Sequence, residues 1–150
     1  MKIAFGCDHG GFIVKDDVIR HLKEKGYEVL DFGTFSNESC NYPDFAFKAS
    51  EAVASKEADK GILICSSGEG VSICANKVKG IRCGIGYNDI VSNLIVEHNH
   101  CNMIAFGAKY MALEDILRRI DIFLSSIPQE GRHQVRVDLI DEYEKKSFKD

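Results

Sequence analysis

A chain of 150 residues with 45% apolar and 28% charged residues has the size and balance of one globular domain with a single core. Its net charge of −4 offers no general basic field for nucleic acid or an anionic membrane. The apolar run after Met1-Lys2 stops at Asp8-His9, so neither a signal peptide nor a membrane span of about 20 apolar residues is expected.

The chain then alternates short apolar runs with segments of helical spacing. The first run, Lys2–Cys7, is followed by the stripe Val14, Val18 and Leu22, with Gly26 as the helix stop. The run at 28–32 precedes the stripe Phe45, Ala49 and Val53. The run at 61–65 leads through a glycine-containing loop into a short helix from 71 to about 77. The run at 82–86 precedes Asn88, a natural N-cap, and the stripe Ile90, Val91, Leu94 and Ile95. The run at 103–106 precedes Ile116, Ile120, Phe123 and Leu124. Runs this short and this apolar suit strands buried on both faces. Regular alternation predicts parallel strands joined by right-handed crossovers. The expected fold is a doubly wound, Rossmann-like α-β-α sandwich with a five-stranded parallel sheet, residues 1–150 forming one domain. A last helix, from about 132 to 146, has no strand after it. Its Val135, Leu139, Ile140 and Tyr143 need a surface, on the parent domain or on a second subunit.

The six cysteines contain no Cys-x-x-Cys pair, and the histidines lack zinc-site spacing. All but Cys40 sit in or beside apolar segments, where free cysteine acts as a small hydrophobe. A reduced, cytoplasmic protein without metal or cofactor is expected.

Ligands of open α/β sheets bind beyond the carboxyl ends of the strands. That rule draws attention to Cys7-Asp8-His9-Gly10-Gly11, to Cys65-Ser66-Ser67-Gly68-Glu69-Gly70, and to His98-Asn99 beside the fifth strand. Gly68 and Gly70 allow close backbone approach, and the helix beyond them offers unpaired N–H groups to an anion. The loop lacks the Gly-Lys-Ser/Thr ending of a Walker A motif and the spacing of a dinucleotide fingerprint. Cys65 is either a buried strand cysteine or a thiol activated by the helix terminus, which contributes roughly 0.3–1 kcal/mol to an anion, about 2 when partly buried. Such a thiol can accept a proton at cellular pH. The position an arginine would need in a Cys-x5-Arg phosphatase loop holds Val71, which argues against that chemistry. Arg132 and Arg136 are one helical turn apart, either a solvated face or paired forks for a phosphate.

Taken together, Asp8-His9-Gly10-Gly11, Tyr42-Pro43-Asp44, the Cys65 loop leading to Ala75-Asn76-Lys77, Gly80-Ile81-Arg82, His98-Asn99, Ala105-Phe106-Gly107 and Gly131-Arg132-His133-Gln134 with Arg136 resemble the ribose-5-phosphate isomerase B family, which includes galactose-6-phosphate and allose-6-phosphate isomerases. The match runs in order along nearly the whole chain. The resemblance implies a metal-free homodimer, or dimers paired into a tetramer, with active sites shared between subunits. It assigns Cys65 as the base moving a proton between C2 and C1 of an open-chain sugar phosphate. The amides of Ser66 to Gly70 would stabilise the enediolate, and Ser67 would relay a proton between the two oxygens. His98 would open the furanose ring. His9, Arg132 and Arg136 would hold phosphate, and Asp8, Tyr42 and Asn99 would contact hydroxyls.

Three positions depart from the family pattern. Lys109 replaces a common arginine among the substrate-binding residues, Ser66 replaces a glycine, and Glu69 replaces a neutral residue. A glutamate base used by some relatives aligns with Val71 instead. A Glu69 carboxylate about 6 Å from a thiolate would cost about 2–3 kcal/mol at an effective dielectric near 20. Glu69 is therefore expected to face solvent or a partner subunit. The leading function is isomerisation of D-ribose 5-phosphate and D-ribulose 5-phosphate, in the pentose phosphate pathway. The alternatives are a hexose-phosphate isomerase and, from another class, a non-catalytic sugar-phosphate binder, which would need the arginine clamp but not Cys65, Ser67 and His98.

Overall fold

The computed structural model describes residues 1–148. In chain order it contains β1 (Lys2–Cys7), α1 (His9–Glu24), β2 (Glu28–Asp31), α2 (Tyr42–Ala54), β3 (Lys60–Cys65), α3 (Glu69–Asn76), β4 (Cys83–Ile85), α4 (Asp89–Glu97), β5 (Met103–Gly107), α5 (Leu113–Ser125) and α6 (Arg132–Ser147). The strands form one sheet in the order β2-β1-β3-β5-β4, every pairing parallel. The expected strand runs and helical stripes all fall within the observed elements or a residue beyond them. Asn88 caps α4 by accepting from the Val91 amide at 2.8 Å, and Gly26 follows α1 at φ 87°.

Alternation along the strands sorts the core into two halves. On one face Ile3, Phe5, Ile62, Ile64, Ile104 and Phe106 pack with Val18 and Leu22 of α1, Val96 of α4, and Ile116, Ile120 and Phe123 of α5. On the other, Ala4, Leu63, Cys65, Met103 and Ala105 meet Ala46, Ala49, Ala52 and Val53 of α2 and Val71, Cys74 and Ala75 of α3. Each large aliphatic or aromatic side chain so buried contributes roughly 1.5–3 kcal/mol. The second half is rich in small residues, which lets α2 lie close to the sheet. A Cβ at Gly6 would stand 3.0 Å from both Leu63 Cδ2 and the Phe45 carbonyl oxygen.

The strand order has a functional consequence. From β1 the chain turns outward to β2 and then crosses back, placing β3 on the other side of β1. The connections leaving β1 and β3 diverge to opposite faces, opening a crevice at their carboxyl ends.

The last helix packs by an unusual face. His133 and Val137 are buried, Asp141 pairs with Arg82 at 3.0 Å, and Glu144 accepts from the Gly80 amide at 2.9 Å. These positions recur at helical spacing and bind α6 to the entrance of β4. Val135, Leu139, Ile140 and Tyr143 lie on the rest of the helix and are all exposed.

Candidate active site

At the carboxyl edge, β3 ends in Cys65, which is buried beneath the start of α3. Gly68 is the α3 N-cap, at φ 85°, and its N–H donates to Cys65 Sγ at 3.1 Å. Glycine is required there twice over. A side chain would be strained at that φ, and its Cβ would lie 2.9 Å from the carbonyl carbon of Phe106. The loop is fastened to the exit of β5 by Ala108 N–H donating to Cys65 O at 2.9 Å and Lys109 N–H donating to Ser66 O at 3.1 Å. Ser67 is exposed and its Oγ accepts from the Glu69 amide at 3.2 Å. Glu69 is also exposed, as expected for a carboxylate kept from the thiol.

Two further segments wall this cradle. Asp8 caps α1, its Oδ1 accepting from Gly10 and Gly11 at 2.9 and 3.2 Å. Gly10 lies against Ser66, whose Oγ and backbone nitrogen occupy the space a Cβ would need. Asp8 is buried by this packing, whereas His9 stays exposed. Nδ1 of His9 accepts from the Cys40 amide at 3.2 Å, with Cys40 Sγ 3.7 Å away. An amide donor at Nδ1 sets the Nε2–H tautomer of the neutral ring. The Tyr42 ring lies over Gly70, where a Cβ would come within 2.7 Å of Cζ. Asp8, His9, Tyr42 and Lys109 thus lie on segments that adjoin the loop Ser66, Ser67, Gly68, Glu69 and Gly70 beyond Cys65.

The remaining predicted residues lie at the opposite edge. The sequence reading grouped His98 and Asn99 with the carboxyl-end loops, and the topology corrects this. They precede β5 rather than follow it. Helix α4 carries the chain back across the sheet, so His98, its C-cap, sits near the amino ends of the strands. Gln129 N–H donates to Glu97 O at 2.9 Å, and His100 Nε2 lies 2.7 Å from Gln129 O. These bonds bring the start of α6 beside His98. The His98 and His133 rings stack at 4.0 Å with an angle of 5° between their planes. Arg132 and Arg136 flank His133 on α6 and are exposed. Burial, followed by the neighbouring His98, Arg132 and Arg136, lowers the His133 pKa from its ordinary imidazole value. A strand of six residues such as β3 is about 20 Å long, so one copy of the chain keeps the two groups apart.

Cys7, Cys74, Cys83 and Cys101 are buried free thiols. Burial pushes Cys7 up to about 12 and Cys101 up to about 11, and raises Cys74 and Cys83 as well. Such thiols are inert at neutral pH. Sequence reasoning missed Cys40 and the stacking role of His133. The first contact joins segments 31 residues apart and leaves no local pattern. Among the described residues, no three His, Cys, Asp or Glu side chains converge as metal ligands, and no helix is long and apolar enough to cross a membrane.

Comparison with known proteins bears on this geometry. A family model described as Ribose/Galactose Isomerase matches residues 3–140. Ribose-5-phosphate isomerase B of Escherichia coli strain K12 is 46% identical over 139 residues, 93% of each sequence. The structure of ribose-5-phosphate isomerase B from Clostridium thermocellum superposes with a TM-score of 0.97 at 47% identity, covering 99% of this chain and 100% of that one. The enzyme from Mycoplasma genitalium, solved with bound ribulose-5-phosphate, superposes with a TM-score of 0.93 at 34% identity, covering 97% of each.

Proposed function

The chain belongs to the ribose/galactose isomerase family, and from that premise we propose that it interconverts D-ribose 5-phosphate and D-ribulose 5-phosphate through an enediolate. The observation that carries this reading is the Cys65 thiol, held under the Gly68 amide in a loop of further backbone donors.

The chemistry follows from what each group can do. Cys65 takes the proton from C2 of the open-chain aldose, and the electron pair forms a C1–C2 double bond. Negative charge develops on O1, where preorganised N–H groups of the 66–70 loop stabilise it. Ser67 passes the O2 proton to O1. Cys65 returns its proton to C1, giving the ketose with no net change in protons. Asp8, Tyr42 and Asn99 contact hydroxyls, His9, Arg132 and Arg136 hold the phosphate, and Lys109 is a further substrate-binding cation. His98 opens the furanose before the transfer begins.

This assignment requires two copies of the chain. Cys65 and His9 lie at one edge of the sheet, and His98, Asn99, Arg132 and Arg136 at the other. A homodimer that sets one copy's carboxyl edge against its partner's amino edge completes two equivalent sites. The outward apolar face of α6, with Val135, Leu139, Ile140 and Tyr143, supplies a surface for that contact. Residues 1–150 work as one domain, in the cytoplasm, where free thiols persist. The reaction belongs to the pentose phosphate pathway.

Steady-state rates on ribose 5-phosphate, allose 6-phosphate and galactose 6-phosphate test the substrate. The pentose should be preferred at least about tenfold in kcat/KM, the discrimination expected of contacts to one sugar carbon and its hydroxyl. A preference for either hexose would replace the assignment.

A further inference from the structure

We propose that His133 is a positioning residue for ring opening: its imidazole is the platform that fixes the plane of the His98 ring against the sugar. This rests on the reading of His98 as the ring-opening group and extends it to a residue that makes no contact with substrate.

His133 occupies an odd place for a polar side chain. Within α6 only His133 and Val137 are buried, while four apolar side chains of the same helix stay in solvent. A site that needed only filling would be filled by one of those residue types. Gly131, at φ 69°, turns the chain so that α6 begins one residue later, placing His133 in its first turn beneath His98. The ring planes are nearly parallel and the centroids 4.0 Å apart, so the contact is face to face. Among the described residues no hydrogen bond holds the plane of the His98 ring; the stack does.

Two imidazolium rings at this spacing would repel, so the stack is stable when at most one is charged. Burial, then His98, Arg132 and Arg136 beside it, lower the His133 pKa and so favour its neutral form. The proton-transfer role falls to His98. In ring opening it accepts the proton of the anomeric hydroxyl as C1 becomes a carbonyl. The C1–O4 bond breaks with its electron pair going to O4, and His98 returns the proton there. One imidazole must address two oxygens on the same sugar, so the plane of the ring decides whether it reaches both. His133 also stands between the two arginines, so one turn of α6 sets the phosphate clamp and the ring plane together.

Substrate chemistry gives a clean test. Ribose 5-phosphate closes to a furanose through its C4 hydroxyl. Ribulose 5-phosphate would need the C5 hydroxyl, which is phosphorylated, and so it stays open. Conversion of the aldose therefore requires ring opening, whereas solvent deuterium wash-in at C1 of the ketose does not. For His133→Ala, conversion of ribose 5-phosphate should fall about tenfold, with deuterium wash-in within about twofold of wild type. His133→Phe, which keeps a flat ring and cannot titrate, should restore conversion to within about threefold. Equal losses in both measurements for His133→Ala, or His133→Phe failing as badly as His133→Ala, would overturn the proposal. His98→Ala separates this from the underlying reading. If it loses both measurements equally, ring opening is not its role. If it loses conversion alone while His133→Ala loses nothing, only the platform is wrong.

Discussion

The two edges of the sheet are built from different materials. The carboxyl edge is made of backbone. The Gly68 amide meets the thiol, and Gly10, Gly70 and Gly68 let Ser66, Tyr42 and Phe106 pack where any Cβ would collide. The amino edge is made of long or planar side chains on helix ends: His98 at the end of α4, and Arg132, His133 and Arg136 at the start of α6. Backbone donors cost no reorganisation when charge appears, which suits the step where an oxyanion forms. Flexible arginines can follow a phosphate as it arrives, which suits capture. The fold thus holds the backbone donors of the Cys65 loop and the arginines of α6 at opposite edges of the sheet, and the proposed homodimer would bring them together.

The largest effect that would test this division is at the thiol. Cys65→Ala should lower kcat about 10²–10⁴-fold, the usual worth of a positioned acid–base group, with KM for ribose 5-phosphate changed little. If KM rose and kcat held, the carboxyl edge would be a binding surface and the contrast would collapse.

Complementation addresses the separation itself. Cys65→Ala and Arg136→Ala damage opposite edges. Mixed and reassembled at equal amounts, half the dimers are hybrids, and each hybrid has one intact site of its two. Activity should return to about a quarter of wild type. No recovery after verified subunit exchange would mean that each copy builds its own site.

A smaller effect comes from pH. His133 is held below its unfolded value by burial and by Arg132, Arg136, His98 and His100. The unfolded chain therefore binds a proton more readily than the folded one just below the ordinary imidazole value of about 6.5. Stability from this residue is complete above that value and is lost as pH falls through it towards the depressed folded pKa. Thermal midpoints recorded from pH 7.5 to 5.5 should drop less steeply in His133→Phe than in wild type. Parallel slopes would mean that other groups govern the acid limb.

The sequence made one edge far more legible than the other. The runs around Phe5, Ile62 and Ile104 are short and apolar, as buried strands are, and Asn88 announces a cap by residue type. Cys65, Gly68 and Gly70 are neighbours in sequence, so their cradle could be read as a string. His98 and Arg132 are neighbours only because α6 folds back onto the end of α4, and the rule for strand ends misplaced His98 because it precedes its strand. The phase of α6 was hidden too. Its apolar stripe suggests a core-facing side, yet contacts at Arg82 and Gly80 seat the helix on His133, Val137, Asp141 and Glu144. Those positions recur at helical spacing, but three of the four are polar, so they leave no apolar stripe to read.

The smallest predicted effect is the one best able to correct the chemistry. Glu69 begins α3, next to the residue whose amide meets the thiol, and is exposed. An inward carboxylate would oppose charge on Cys65 by about 2–3 kcal/mol at 6 Å and an effective dielectric near 20. That is comparable to or larger than the roughly 0.3–2 kcal/mol a helix terminus contributes. In water the same pair interacts by only about 0.7 kcal/mol, and salt screens it further. Glu69→Gln should therefore change kcat by less than about threefold, with any gain shrinking as ionic strength rises. Loss of most activity in this variant, with Cys65→Ala nearly active, would transfer the base from the sulfur to the carboxylate.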